Sequence, residues 1–219
     1  MKKRTAFVLS VLGALLLLTG CAANSDPFAA QSYTADVERV TAIRIDVRDR
    51  EIAVSPSNDG LIHIDYHQNS KEYYDIAVSG NVLTMTSASN KSWTDYIGAK
   101  PAADQRKILL QIPPHSLATL SLSTTNEDIS LPALSVTGEI SLSVNGGDIR
   151  FAPVAGNALA INAKNGNIHG QIAGSYEDYA IDCAIKKGES NLPSRKDSGS
   201  KTLRVTNNNG DIDIEFVRE

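Results

Sequence analysis

The chain reads as an all-β protein, a repetitive β-solenoid or β-helix-like stack of strand-turn-strand repeats about 20 residues long, on three features. From Val40 onward apolar and polar residues alternate almost without interruption, the two-residue period of a strand with one buried face. No helical period is sustained over three turns. A twelve-residue template recurs, apolar at positions 1, 3 and often 5, with turn formers at 7 to 9 and apolar residues again at 10 and 12.

The template occupies residues 120–131, 140–151, 159–170, 181–192 and 203–214, with starts 20, 19, 22 and 22 residues apart, and a further copy opens the domain at 43–54. Position 10 is Ile129, Ile149, Ile168 and Ile212, with Ser190 the weak member. Position 8 is Gly147, Gly166, Gly188 and Gly210, the residue type that takes positive φ without steric cost. Asn126, Asn165 and Asn209 at position 7 tolerate the same region and support a turn there. A lone copy leaves its apolar face bare, so copies must stack or pair. The near-constant spacing favours a parallel solenoid, the Asn-Gly turns an antiparallel meander, and both arrangements stay open. Alternation continues through residues 61–66, 74–78, 82–86 and 108–112, whereas Ser87 to Lys107 is polar, holds Trp93, Tyr96 and Pro101, and reads as the longest loop.

Upstream, Lys2, Lys3 and Arg4 precede an apolar run of thirteen residues, 6–18. That is shorter than the roughly 20 residues a membrane span needs and matches a signal peptide. Leu18-Thr19-Gly20-Cys21 closes it with small residues before a cysteine, the lipobox pattern. The expected organisation is a lipoprotein signal peptide over 1–20, a lipidated Cys21 and flexible tether over 21–38, and the β-repeat domain over 39–219. Acyl chains such as palmitate on Cys21 would hold the domain on the extracytoplasmic face of the cell membrane, at about 0.8 kcal/mol per buried CH₂. A tether of about 16 residues spans roughly 20–25 Å. Without Lys2, Lys3 and Arg4 the chain has 18 basic against 25 acidic side chains, a formal charge of −7, which argues against nucleic acid as a partner. Cys183, the second of two cysteines, alternates with Ile181 and Ile185 and reads as a small core hydrophobe.

His63, Asp65 and His67 resemble a ligand cluster, but they alternate with Ile62, Ile64 and Tyr66 on a strand, which sets the histidines about 13 Å apart. No metal or other cofactor is expected there. Position 9 carries Asp128, Asp148, Asn167, Glu189 and Asp211. A parallel stack would bring them to about 4.8 Å, where like charges repel by roughly 1 kcal/mol in water. They read as solvated groups accepting N–H bonds in their own turns. No nucleophile elbow, Cys–His pair, phosphate loop or paired carboxylate outside the turns emerges, so no catalytic residue is expected. Trp93 and Tyr96, flanked by Lys91, Asp95 and Lys100 in a segment without periodicity, are the candidate binding residues.

Three segments carry a family likeness: Ser143-Val144-Asn145-Gly146-Gly147-Asp148-Ile149, Ala163-Lys164-Asn165-Gly166-Asn167-Ile168, and Thr206-Asn207-Asn208-Asn209-Gly210-Asp211-Ile212-Asp213-Ile214. With the opening copy at Ile43, they resemble the DUF4097 group, exported bacterial proteins of β-strand repeats often labelled adhesins and similar in style to LiaG-type envelope proteins. The resemblance covers about Val40 to Val217. It implies a non-catalytic adhesin-like binding or scaffold module facing an envelope protein or polysaccharide; the LiaG likeness implies, as the alternative, an accessory sensory lipoprotein of an envelope-stress system. The chain departs from the pattern at 181–192, where Lys187, Gly188 and Ser190 replace the Asn-Gly-x-Ile core.

Cys21→Ser is expected to abolish incorporation of labelled lipid and release the domain from the membrane fraction. Retention of the variant in membranes washed with high salt would refute the anchor.

Overall fold

The computed structural model describes residues 26–92 and 100–218. In chain order come β1 (Ala29–Asp36), β2 (Ala42–Asp46), β3 (Glu51–Pro56), β4 (Leu61–Gln68), β5 (Glu72–Ser79), β6 (Val82–Ser89), β7 (Lys107–Ile112), β8 (Thr119–Thr124) and β9 (Ile129–Leu131). They are followed by β10 (Leu134–Ser135), β11 (Glu139–Gly146), β12 (Ile149–Ala155), β13 (Ala158–Asn165), β14 (Ile168–Ala173), β15 (Tyr179–Ile185), β16 (Arg195–Lys196), β17 (Lys201–Asn207) and β18 (Ile212–Val217). Two sheets result, one in the order β1-β4-β7-β3-β9-β12-β14-β18, the other β16-β15-β17-β13-β11-β8-β2-β6-β5.

The template's two halves lie in different sheets, so its turn is a corner that carries the chain from one sheet to the other, not a hairpin. Neighbouring copies pair in parallel and in register. Ile43, Leu120, Ile140, Leu159, Leu203 and Ile181 form one row. Ile52, Ile129, Ile149, Ile168 and Ile212 form the facing row. None of these side chains is more than 2% exposed. Each contributes on the order of 1.5–3 kcal/mol by leaving water. The fold is therefore a β-solenoid, with antiparallel pairing confined to its ends, where β1 meets β4, β4 meets β7, β5 meets β6 and β15 meets β16.

Spatial order departs from chain order at both ends. The opening copy, β2 and β3, lies between β6–β7 and β8–β9. The last copy, β17 and β18, inserts between β13–β14 and β15. The degenerate copy at 181–192 thereby becomes the terminal rung. Its second half is reduced to a single bridge, Ser190 to Ile212. Asn191 closes that edge by donating to Ile214 O and accepting from Ile214 N, both at 3.0 Å. A serine at position 10 is tolerated because no further rung stacks on it.

Gly147, Gly166, Gly188 and Gly210 all have positive φ, between 121° and 132° for the first three and 133° for the last. A Cβ on Gly166 would collide with the carbonyl of Gly147, one on Gly210 with that of Gly166, and one on Gly188 with that of Gly210. Glycine is thus required twice at these four corners, for conformation and for contact with the neighbouring rung. The position-7 asparagines do something else. Among described non-glycine residues only Asp49 and His115 have positive φ; Asn165 instead donates to Asn145 O at 3.1 Å, tying adjacent rungs. At position 12 the ring of Phe151 fills the space that a side chain on Gly170 would need, so the two are complementary.

The expected tether is shorter than its composition suggests. Residues 29–36 form β1, in register with β4 from Ala29↔Gln68 to Asp36↔Leu61. Tyr33, Ala35 and Val37 alternate onto the core and supply the apolar period that the polar composition of 22–37 masks. The long loop also shrinks, because β6 continues to Ser89 and 104–106 form a 3₁₀ turn.

Gly210→Val should destabilise the domain by more than about 2 kcal/mol, several degrees in Tm, whereas Gly60→Ala, at positive φ but in open space, should cost only about 1 kcal/mol. Equal shifts would mean that φ alone, not rung contact, constrains the corner.

Candidate functional site

Parallel stacking gives position 9 a role different from the expected one. Asp128 Oδ1 accepts from Asp148 N at 2.8 Å, Asp148 Oδ1 from Asn167 N at 2.7 Å, Asn167 Oδ1 from Asp211 N and Asp211 Oδ1 from Glu189 N, both at 2.9 Å. Each side chain serves the next rung's turn and not its own, since the neighbouring N–H lies one strand spacing away. Arg150 bridges Asp128 and Asp148 and offsets their repulsion. These acids are structural.

At the opening rung position 8 is Arg50, not glycine, and its side chain reaches β5 and the N-terminal segment. Only 3% exposed, Arg50 donates to Tyr74 OH at 2.7 Å, Glu72 Oε2 at 2.9 Å and Asp49 O at 3.0 Å. Its guanidinium also lies 5.7 Å from the centre of the Phe28 ring. Lys91 Nζ meets Glu72 Oε1 at 2.6 Å. Burial alone would raise the pKa of Glu72, but the hydrogen bonds from Lys91 and Arg50 hold it below its ordinary value. Asp49 follows the same balance, with Asn126 and Thr125 as donors. Arg50 joins the N-terminal segment, the opening rung and β5, and it escaped the sequence reading; the one signal was a non-glycine at position 8.

A groove opens at the opposite corner, where strands leave the first sheet. Pro56, Pro114, Pro132 and Pro153 cluster there, residues with no N–H to offer a neighbouring strand, and at Pro153 the pairing of β12 with β14 shifts register. Residues of β3, β7, β10, β12, β14 and β18 and of the segments that follow them line about 390 Å³. Val54, Ile112, Leu134 and Val217 line it with apolar surface; Ser55, Ser135, His115 and Arg218 add polar groups. Its residues come from segments more than 160 positions apart, so no local motif could reveal it, although prolines recurring one or two places after position 12 were a legible trace.

The other singled-out residues fall as follows. Cys21, Trp93 and Tyr96 lie outside the described residues. Cys183 is 6% exposed, a free thiol in the core. His63 and His67 both sit on β4, and His63 Nε2 pairs with Asp59 Oδ2 at 2.8 Å. The bond from Ser57, then those from Leu61 N and His63, push the Asp59 pKa down to about 2. No group of three or more His, Cys, Asp or Glu side chains poised for a metal occurs among the described residues. No helix among them is long and apolar enough to cross a membrane.

The sequence model for Toastrack DUF4097 matches residues 40–219. The chain belongs to the Toastrack DUF4097 family. No curated protein matches it in sequence. Among solved structures, this Toastrack chain is similar to a candidate cell adhesion protein from Clostridium sporogenes, with 7% identity and a TM-score of 0.55 over 87% of this chain and 100% of that one. A candidate adhesin from Bacteroides fragilis is 12% identical, with a TM-score of 0.36 over 88% and 99% of the two chains. The first likeness is one of fold; the second is weaker.

Two consequences follow for the Arg50 cluster of this Toastrack domain. Arg50→Ala should cost about 2–4 kcal/mol, because it strips Glu72 and Tyr74 of a buried donor. Glu72 and Asp49 ionise more readily folded than unfolded, so the stability they add is complete above their ordinary values of 4.5 and 3.8 and is lost as pH falls through that range. Unfolding followed from about pH 6 to pH 3 should show a flatter acid limb for Glu72→Gln than for the parent chain. Parallel limbs would remove Glu72 from the account.

Proposed function

We propose that this protein is a lipid-anchored, extracytoplasmic binding module of the bacterial cell envelope, one that holds a partner and performs no chemistry on it. The observation that carries this reading is the groove at the exit corner of the first sheet. It is concave, built by the ends of six strands locked into a single hydrogen-bonded sheet, and its apolar floor is edged by a few hydrogen-bonding groups, the composition of a recognition surface. Such a floor suits an apolar segment of an envelope protein better than a polysaccharide, whose hydroxyls it could not satisfy. The lipobox at Cys21 supports the address, and the Toastrack fold supports a scaffold role. The aromatics Trp93 and Tyr96, in the sequence between β6 and β7, are a second candidate contact.

A photo-activatable residue at Ala133, exposed on the groove rim, should capture a discrete envelope component in living cells, while the same probe at Asp46, exposed on the outer face of the other sheet, should not. Ala133→Arg placed beside a second probe in the groove should abolish capture with Tm unchanged. Identical cross-linking from Ala133 and Asp46 would rule the groove out.

A further inference from the structure

We infer that the turn joining β4 to β5 is the surface this domain lays against its own bilayer, so that the groove is presented away from the membrane. The inference rests on the lipid-anchor reading of Cys21 and extends it from attachment to orientation. The carrying observation is where the fold takes hold of the chain. Asp26 Oδ2 accepts from Ser70 N at 2.9 Å and from Ser70 Oγ at 2.6 Å, and Asn69 Nδ2 donates to Asp26 O at 2.9 Å. Two residues on, the Phe28 ring lies against the guanidinium of buried Arg50. Only residues 22–25 therefore separate a lipidated Cys21 from the folded domain.

Fully extended, the five steps from Cys21 to Asp26 reach no more than about 18 Å. The strand that follows leads away from the anchored point: eight residues of β1 cover about 25 Å and end at Asp36, on the side where the groove opens. Across the sheet, six pairings separate β4 from β18, about 29 Å at the usual strand spacing. Arg218, at the groove end of β18, is thus displaced from the anchored turn both along and across the strands. A leash shorter than either displacement leaves the turn at 69–71 beside the bilayer. A tether as long as the composition of 21–38 suggests would have let the domain swivel.

The test uses the full-length lipidated protein in phosphatidylcholine vesicles containing nitroxide headgroup lipids, which quench a fluorophore only at short range. The fluorophore is placed by Lys71→Cys or by Arg218→Cys, the native Cys183 being buried. Quenching at 71 should exceed that at 218 several-fold, and a flexible Gly/Ser insert of about 20 residues between Ser25 and Asp26 should erase the difference. Equal quenching in the uninserted chain, or a difference that survives the insert, overturns the orientation while leaving the anchor intact. A chain that carries no lipid and does not float with the vesicles overturns the anchor reading and the orientation together; flotation is scored separately for that reason.

Discussion

The whole molecule depends on how closely one corner can approach the next. In a parallel stack the rungs must sit one strand spacing apart everywhere, including where the chain turns between sheets. From the copy at 140–151 onward that spacing drives the Cα of position 8 onto the carbonyl of the neighbouring rung, and only glycine at positive φ fits. The same proximity brings the position-9 side chain within reach of the next rung's amide, which turns a row of mutually repelling carboxylates into a ladder of acceptors. Glycine and acid at adjacent positions are two answers to one geometric demand. Buried polar residues at position 5 serve the same corner: Thr124 donates to Arg50 O at 2.7 Å and Asn207 to Gly166 O at 2.9 Å.

Stacks have ends, and exposed strand edges invite further pairing. Here the chain keeps its regular copies inside and spends irregular sequence outside. The copy with serine at position 10 is moved past its successor to the terminal rung, where Asn191 imitates a strand partner and the rings of Tyr176, Tyr179 and Phe216 meet at centroid distances of 5.4 and 5.6 Å. At the other end, β4 and β5, joined by the turn at 69–71 but lying in different sheets, run antiparallel to β7 and β6 beside them, and β1 covers β4. Arg50 holds that end together, beyond the point at which the glycine stack stops at Gly147.

Much of this was legible because two-residue alternation and a spacing of about 20 are properties of sequence alone. Every position-1 and position-10 residue picked from the template lies where a solenoid requires it, Ser190 included. What could not be read were relations between rungs. Asn126 and Asn165 at position 7 look like residues chosen for their own backbone, yet their side chains bond to Asp49 and to Asn145 O on neighbouring rungs. Residues 29–36 looked like tether because only Tyr33, Ala35 and Val37 carry the apolar period, and an edge strand needs only one half-buried face. The groove was invisible for the plainest reason: its lining is divided among six segments of the chain, and none is unusual by itself. Arg50 drew no notice in the sequence, although a break in a structural repeat is where side chains are free to do something other than stack.

A domain built this way has one corner closed by glycine and acid, one corner opened by proline, and a chain that enters beside the first. The stack supplies rigidity and spacing, while any recognition must come from what the proline corner leaves uncovered. All of it requires the rung-to-rung ladder to persist in solution, and hydrogen exchange of individual corner amides tests that most directly. The N–H groups of Asp148, Asn167, Glu189 and Asp211, each bonded to the carboxylate or amide of an adjacent rung, should exchange as slowly as those of the core strands. Exchange as fast as in the exposed turn at 58–60 would contradict the account at its foundation.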